Sequence, residues 1–275
     1  MKEGAPRDQG RHYYRDRLRP QGQAIYDQME KRFLGKDYYW EFQFPIEDHR
    51  TFVGDASGAY RALRDDHPEF FFLGNEYEMT RRGSQGGLRC QLLYAPVTIE
   101  RINLQLRRKI CQLVRGTAFL PLAEQERMVY ERIAQSVVYD DQNDHQDHNV
   151  VGPILHKSGV CEGYNALLLL CFRRLRIPCI KTFGKMDAER ETWHCWTKAW
   201  MGDREVHCDV TWDAPVRGRV MYQYFNLSED EIRKDHVLAR IDEEGKLCIS
   251  PSLEIPADRN GSGFIPVPAG RIAPS

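Results

Sequence analysis

Ser158-Gly159-Val160-Cys161-Glu162-Gly163-Tyr164 opens the stretch that decides the fold, and Ala166-Leu167-Leu168-Leu169-Leu170-Cys171-Phe172 completes it. Together they predict a helix over roughly Val160 to Arg176 that is apolar nearly all round. Such a helix is buried on most of its sides. Pro178 ends it, because proline cannot continue the backbone ladder. Cys161 falls in the first turn. The unpaired N–H groups there, and the positive end of the helix dipole, favour an anion. A cysteine so placed has a lowered pKa and more thiolate, and its own N–H can face a developing oxyanion. Gly159 and Gly163 leave room for a substrate beside it, and Glu162 suits the same helix end. Cys171, deep in the apolar run, has the ordinary role of a small buried hydrophobe.

A thiolate needs a base. His194 lies in Trp193-His194-Cys195-Trp196, and Asp209 in Cys208-Asp209-Val210-Thr211-Trp212-Asp213. Trp193 to Trp200 and Glu205 to Thr211 read as two strands, joined by a Met201-Gly202-Asp203 turn. The midpoint of 194 and 209 falls between Met201 and Gly202, so a turn centred there sets His194 directly opposite Asp209. A two-residue change of register would keep both on one face as diagonal neighbours. A carboxylate beside an imidazole holds its tautomer and stabilises the imidazolium. Each residue alone reads equally well as a partly buried polar group; together they suit a nucleophile, a base and an orienting acid. By strand alternation Trp196 and Trp200 share the face of His194, as cleft walls or as core aromatics.

Outward from this centre, helices are expected over Tyr13 to Leu34 with an interruption at Pro20, Ala56 to Arg64, Leu104 to Leu113 and Leu122 to Val138. In the last of these, Val129, Ile133 and Val137 recur every fourth residue. Phe70 to Leu73 suits a strand or a buried turn; Gly87 to Tyr94, Cys179 to Phe183 and Tyr222 to Asn226 suit strands. Ser228 and Glu231 have capping-box spacing for a short helix to Lys234. Asp140 to Asn149 is a polar loop. The organisation expected is a mainly helical region over 1–120, a core over 121–249 and a loosely held tail over 250–275.

The chain has 275 residues, 41% of them hydrophobic, enough to bury a core. Its 39 basic and 40 acidic residues argue against nucleic acid or an anionic membrane as the partner. No apolar run reaches the ~18 residues of a membrane span. Met1 to Arg19 is too charged for a secretory signal, so the chain as given is expected in the cytoplasm, and secretion would need a leader removed from it. The eight cysteines are then expected as free thiols. His194-Cys195 and His207-Cys208 look like zinc-ligand pairs. Adjacent strand side chains point to opposite faces, however, so each doublet offers one ligand to a given site. No metal or other cofactor is expected, and no calcium-loop pattern is present.

Gly159-Val160-Cys161-Glu162-Gly163-Tyr164, the tryptophan-flanked His194, and Asp209-Val210-Thr211-Trp212-Asp213 resemble, in order and spacing, the transglutaminase-like superfamily, its bacterial members especially. The similarity runs from about Leu122 to His236, including His148-Asn149 through Leu155 and Tyr224-Phe225-Asn226-Leu227-Ser228 through Asp235-His236. Cys195 departs from the family, where alanine is common between the histidine and the tryptophan. The resemblance implies an α+β, papain-like fold, with the catalytic helix packed on an antiparallel sheet. It implies Cys161, His194 and Asp209 as a catalytic triad for amide acyl transfer through a thioester. Hydrolysis of peptide or isopeptide bonds in a protein or peptide substrate is the leading expectation. Transfer or deamidation at glutamine side chains, and a non-catalytic binding module, are the alternatives. Asn149, His156, Tyr164 and Trp196 are the candidates for a second oxyanion donor or for substrate contact. Oligomeric state is left open.

Overall fold

In a computed structural model, residues 4–140, 148–186, 193–214, 219–243 and 247–249 are described. The chain divides into two units, built mainly on Gly10–Leu104 and on Gln105–Ala239. The expected tail over 250–275, and most of the polar loop from Asp140 to Asn149, lie outside the described residues.

The first unit begins with α1 (Pro20–Leu34). Pro20 starts this helix instead of interrupting one, because the first turn has no use for its missing N–H. Ile25, Tyr26, Met29 and Phe33 form the buried face. Next come β1 (Glu41–Pro45), α2 (Phe52–Asp66), β2 (Leu73–Arg82) and β3 (Gln85–Leu92). The strands form an antiparallel sheet in the order β1-β3-β2. Phe70 to Phe72 is a turn, and Leu73 opens β2. A Cβ on Gly86 would stand 2.1 Å from the Phe52 ring, so glycine is what lets that ring lie against β3. Helix α3 (Pro96–Leu113) starts eight residues before the expected Leu104.

A polar network ties α1 to the end of α2. Glu30 Oε1 takes hydrogen bonds from His12 Nε2 at 2.7 Å and His67 Nε2 at 2.8 Å, while His67 Nδ1 meets Glu69 at 3.2 Å. Burial disfavours a charge on His67, but the two carboxylates overcome it and raise its pKa to about 9.

The second unit continues with α4 (Leu122–Ser136), β4 (Val138–Tyr139), β5 (Ser158–Gly159) and α5 (Cys161–Arg174). Then follow β6 (Cys179–Lys185), β7 (Trp193–Met201), β8 (Arg204–Cys208), α6 (Val210–Asp213), α7 (Glu229–Ile232) and β9 (Val237–Ile241), and after them β10 (Leu247–Ile249); Arg240–Cys248 is grouped with the first unit. The larger sheet has the order β10-β9-β6-β7-β8, and the β9-β6-β7-β8 pairings are all antiparallel. Helix α5 packs on β6 and β7 and against α4, and Leu167, Leu168, Leu169, Cys171 and Phe172 are buried. The fold is therefore α+β, with the cysteine helix on an antiparallel sheet. Two expectations change here. Thr211 belongs to α6, and Tyr222 to Asn226 is not a strand; only Leu227 bridges to His207. The Ser228–Glu231 capping box is present. Among the described residues no helix is long and apolar enough to cross a membrane.

The Glu30 network predicts a pH-dependent stability. His67 gains pKa on folding, so its contribution is complete below about 6.5 and is lost as pH rises through about 9. Glu30 loses pKa: burial alone would raise it, but His67 and His12 outweigh that, so its contribution is lost on acidification below about 4.5. Glu30→Gln should cost about 3 kcal/mol of unfolding free energy near pH 6. That gap should narrow toward pH 10 in urea unfolding; an equal gap at both pH values would contradict the assignment.

Candidate active site

Cys161 is the first residue of α5, and Val160 at its N-cap supplies no side-chain cap. A serine or aspartate there would cover the first-turn N–H groups. Valine leaves that end of the helix to the thiol and whatever approaches it. Cys161 as a residue is half-buried. The Cys195 thiol and the His194 ring are neighbours that act on its titration. The Cys195 thiol and the positive charge of His194 bring the Cys161 pKa well below the ordinary thiol value, against the opposing effect of burial. Cys195 moves the other way, pushed up by burial and by Cys161.

Of the His194-Cys195 doublet, only His194 joins a cluster of ligand-type atoms among the described residues, as strand alternation expects. Strand β7 pairs with β8 only from Thr197 onward. At 194 and 195 that edge of β7 has no β8 partner.

The hairpin register is the two-residue variant. Met201 pairs with Arg204 across a Gly202-Asp203 loop, with Gly202 at φ +64°. Asp209 therefore lies one residue beyond β8 and is not directly opposite His194. It caps α6 instead. Its Oδ1 accepts from Thr211 N at 3.0 Å and Trp212 N at 3.4 Å, and its Oδ2 meets His194 Nε2 at 2.6 Å. With Nε2 committed to Asp209, Nδ1 is the ring nitrogen that remains for Cys161. Burial would raise the Asp209 pKa, but the charge and hydrogen bond of His194 hold it well below the usual carboxylate range. Burial likewise opposes the His194 charge, yet Asp209 and the Cys161 thiolate raise the ring to about 10.

The last aspartate of Asp209-Val210-Thr211-Trp212-Asp213 anchors the segment from beneath. Asp213 accepts from Tyr130 Oη at 2.7 Å and from the backbone N–H of Gln223 and Tyr224 at 2.7 and 3.0 Å. Two aspartates thus bracket one helical turn.

The four remaining candidates have other partners. Asn149 Oδ1 accepts from Val151 N at 2.8 Å as a local turn cap. His156 is exposed at the end of the π-helical turn Gly152–His156. Tyr164 is fully buried and donates its hydroxyl to Val137 O at 2.6 Å. Trp196 is buried and donates Nε1 to His207 Nδ1 at 2.9 Å. The proton of Tyr164 and the N–H of Trp196 are therefore committed within the core. Trp196 and Trp200 are core aromatics, while the half-buried Trp212 lies 6.0 Å from the His194 ring centroid. Glu162 pairs with Lys181 at 3.3 Å and with His148 at 2.9 Å.

His236, which the sequence left without a role, completes the cluster: its Nε2 is 3.4 Å from Asp209 Oδ2. Ligand-type atoms of His194, Asp209 and His236 lie within 4.8 Å of one another, as do those of His12, Glu30 and His67. Two donors on a tetrahedral zinc, each ~2.0–2.1 Å from the ion, stand about 3.3 Å apart. The 2.6 Å His194–Asp209 contact and the 2.7 and 2.8 Å contacts to Glu30 are shorter, as hydrogen bonds between the groups themselves.

Residues 109–210 match the family model described as the transglutaminase-like superfamily. No curated protein matches the chain. Among solved structures, the chain is similar to a TGase at 14% identity and TM-score 0.38, covering 69% of this chain and 55% of that one. It is also similar to a candidate cysteine protease from Cytophaga hutchinsonii at 15% identity and TM-score 0.33, covering 53% of this chain and 64% of that one. The chain thus spans less than two thirds of the length of either. Over residues 109–210 this chain is similar to the transglutaminase-like superfamily.

Proposed function

We propose that this chain is a cysteine-dependent amide hydrolase acting on peptide or isopeptide bonds, with Cys161 as nucleophile, His194 as acid and base, and Asp209 as the group that orients His194. The observation that carries this reading is the position of one imidazole: Nε2 is fixed by Asp209 at 2.6 Å, which leaves Nδ1 for Cys161, the thiolate that acts on the ring.

The resting site is a thiolate–imidazolium pair, stabilised by the buried Asp209 carboxylate. The thiolate attacks the amide carbonyl carbon, a C–S bond forms, and the charge passes to the carbonyl oxygen. The Cys161 N–H, at the uncapped start of α5, supports that oxyanion. His194 gives its proton to the leaving nitrogen, the C–N bond breaks, and a thioester remains. Neutral His194 then takes a proton from water as it attacks; collapse releases the acid and restores the thiolate. A primary amine could replace water at that step. Incubating β-casein with the enzyme and a fluorescent primary amine, followed by mass spectrometry, separates the two. New peptide termini without label support hydrolysis, whereas labelled glutamines without cleavage would replace it with transfer.

The direction of each pKa fixes the pH profile. Activity rises as Cys161 loses its proton, at a pH well below the ordinary thiol value, and falls as His194 loses its proton at about 10. Asp209→Asn should lower the rate on the order of 10³-fold and move the alkaline limb to lower pH. Casein turnover measured across pH checks both effects, and an unmoved alkaline limb would contradict the role given to Asp209.

A further inference from the structure

Asp209 is held from four directions. Thr211 N and Trp212 N bond its Oδ1, and the rings of His194 and His236 share its Oδ2. A carboxylate offers about four lone-pair sites, so the set is complete and the carboxylate is locked in one orientation.

His236 is itself fixed. Its backbone N bonds Ile232 O at 3.0 Å, at the end of α7. Its Nδ1 meets Asp235 Oδ1 at 2.7 Å, and Asp235 Oδ2 accepts the Tyr224 hydroxyl at 2.8 Å. The ring lies among Trp196, Trp212 and Tyr224, with centroids at 4.8, 5.0 and 5.5 Å, and 5.7 Å from His194. It is 1% exposed, so water cannot replace either of its hydrogen bonds. Facing a carboxylate at each nitrogen, the ring serves both as a donor, which requires the imidazolium form. The titratable groups around it are Asp209, Asp235, Tyr224 and His194, with His207 beyond Trp196.

We propose that His236 is a positioning residue for the thiolate–imidazolium pair: its N–H to Asp209 Oδ2 fixes the carboxylate that aims His194 at Cys161. The inference rests on the roles proposed above for those three residues. The distances rank the two imidazoles. At 2.6 Å His194 makes the dominant bond, and at 3.4 Å His236 makes a longer, weaker one. His236 thus acts on the orientation of Asp209 and takes no proton from the reaction.

The test follows thiolate ultraviolet absorbance against pH, with the spectrum of Cys161→Ala subtracted, in the full chain. His236→Phe keeps a ring among the aromatics and removes the N–H. It should raise the Cys161 inflection by about one pH unit, a tenfold loss in stability of the pair. His236→Gln, which keeps a donor N–H, should restore the inflection to within about 0.3 unit of wild type. An unmoved inflection in folded His236→Phe would overturn the proposal, as would equal shifts in both variants, which would point to lost charge or packing. If His236→Phe does not fold, Asp235→Asn loosens the same ring from its other side, and an unmoved inflection there overturns the proposal in the same way. A wild-type chain whose Cys161 inflection sits at the ordinary thiol value would instead refute the underlying triad. The two failures are therefore distinguishable.

Discussion

A buried hydrogen bond of 2.6 Å joins His194 Nε2 to Asp209 Oδ2, and much of the surrounding structure exists to hold its two ends. A carboxylate out of water is costly unless every lone pair is met. The chain meets them with the first turn of α6 on one oxygen and with two imidazoles on the other. The histidine end is set by β7, which pairs with β6 along its length, Gly184 lying opposite His194. A Cβ at Gly184 would come within 2.7 Å of the Trp196 ring and 2.3 Å of Val237 O. Only glycine leaves room there for the indole that stacks beside His194, 5.8 Å between centroids. The electrostatic consequence reaches Cys161, whose pKa the Cys195 thiol and the positive charge of His194 lower against burial.

Asp213 carries the same logic one layer down. Burial raises its pKa to about 6, although Tyr130 and two backbone N–H groups counter the rise. Its bonds fasten the segment at 223–224 to α6 and to Tyr130 of α4. Tyr224 in turn accepts the N–H of Asp209 and steadies Asp235, and so His236. One short motif thereby couples α4, α6 and the segment before α7 to the orientation of His194.

Much of this was legible in the sequence where pattern and local chemistry agree. The helix at Cys161, the hairpin after it and the Ser228 cap follow from periodicity, turn residues and spacing. What escaped did so for physical reasons. Strand β2 has little apolar alternation because most of its length is exposed, so its strand period leaves no trace. In β1, Phe42 and Phe44 do alternate, but five residues are too few to stand out. The hairpin register followed from turn type, which residue counting alone does not fix. Asp209-Val210-Thr211 carries a readable capping signal, an aspartate two residues before a threonine, inside a segment whose β-branched residues also suit a strand. His236 meets Asp209 across 27 residues of chain, and no local period reports such a contact. The assignment of Tyr164 and Trp196 to the substrate failed because burial and hydrogen-bond partners are tertiary facts.

The central claim is that His194 activates Cys161, and brief iodoacetamide labelling near neutral pH with intact-mass detection tests it most directly. The account predicts one fast adduct on the wild-type chain, lost in Cys161→Ala and slowed in His194→Ala. Slow labelling at one common rate in all three proteins would contradict it.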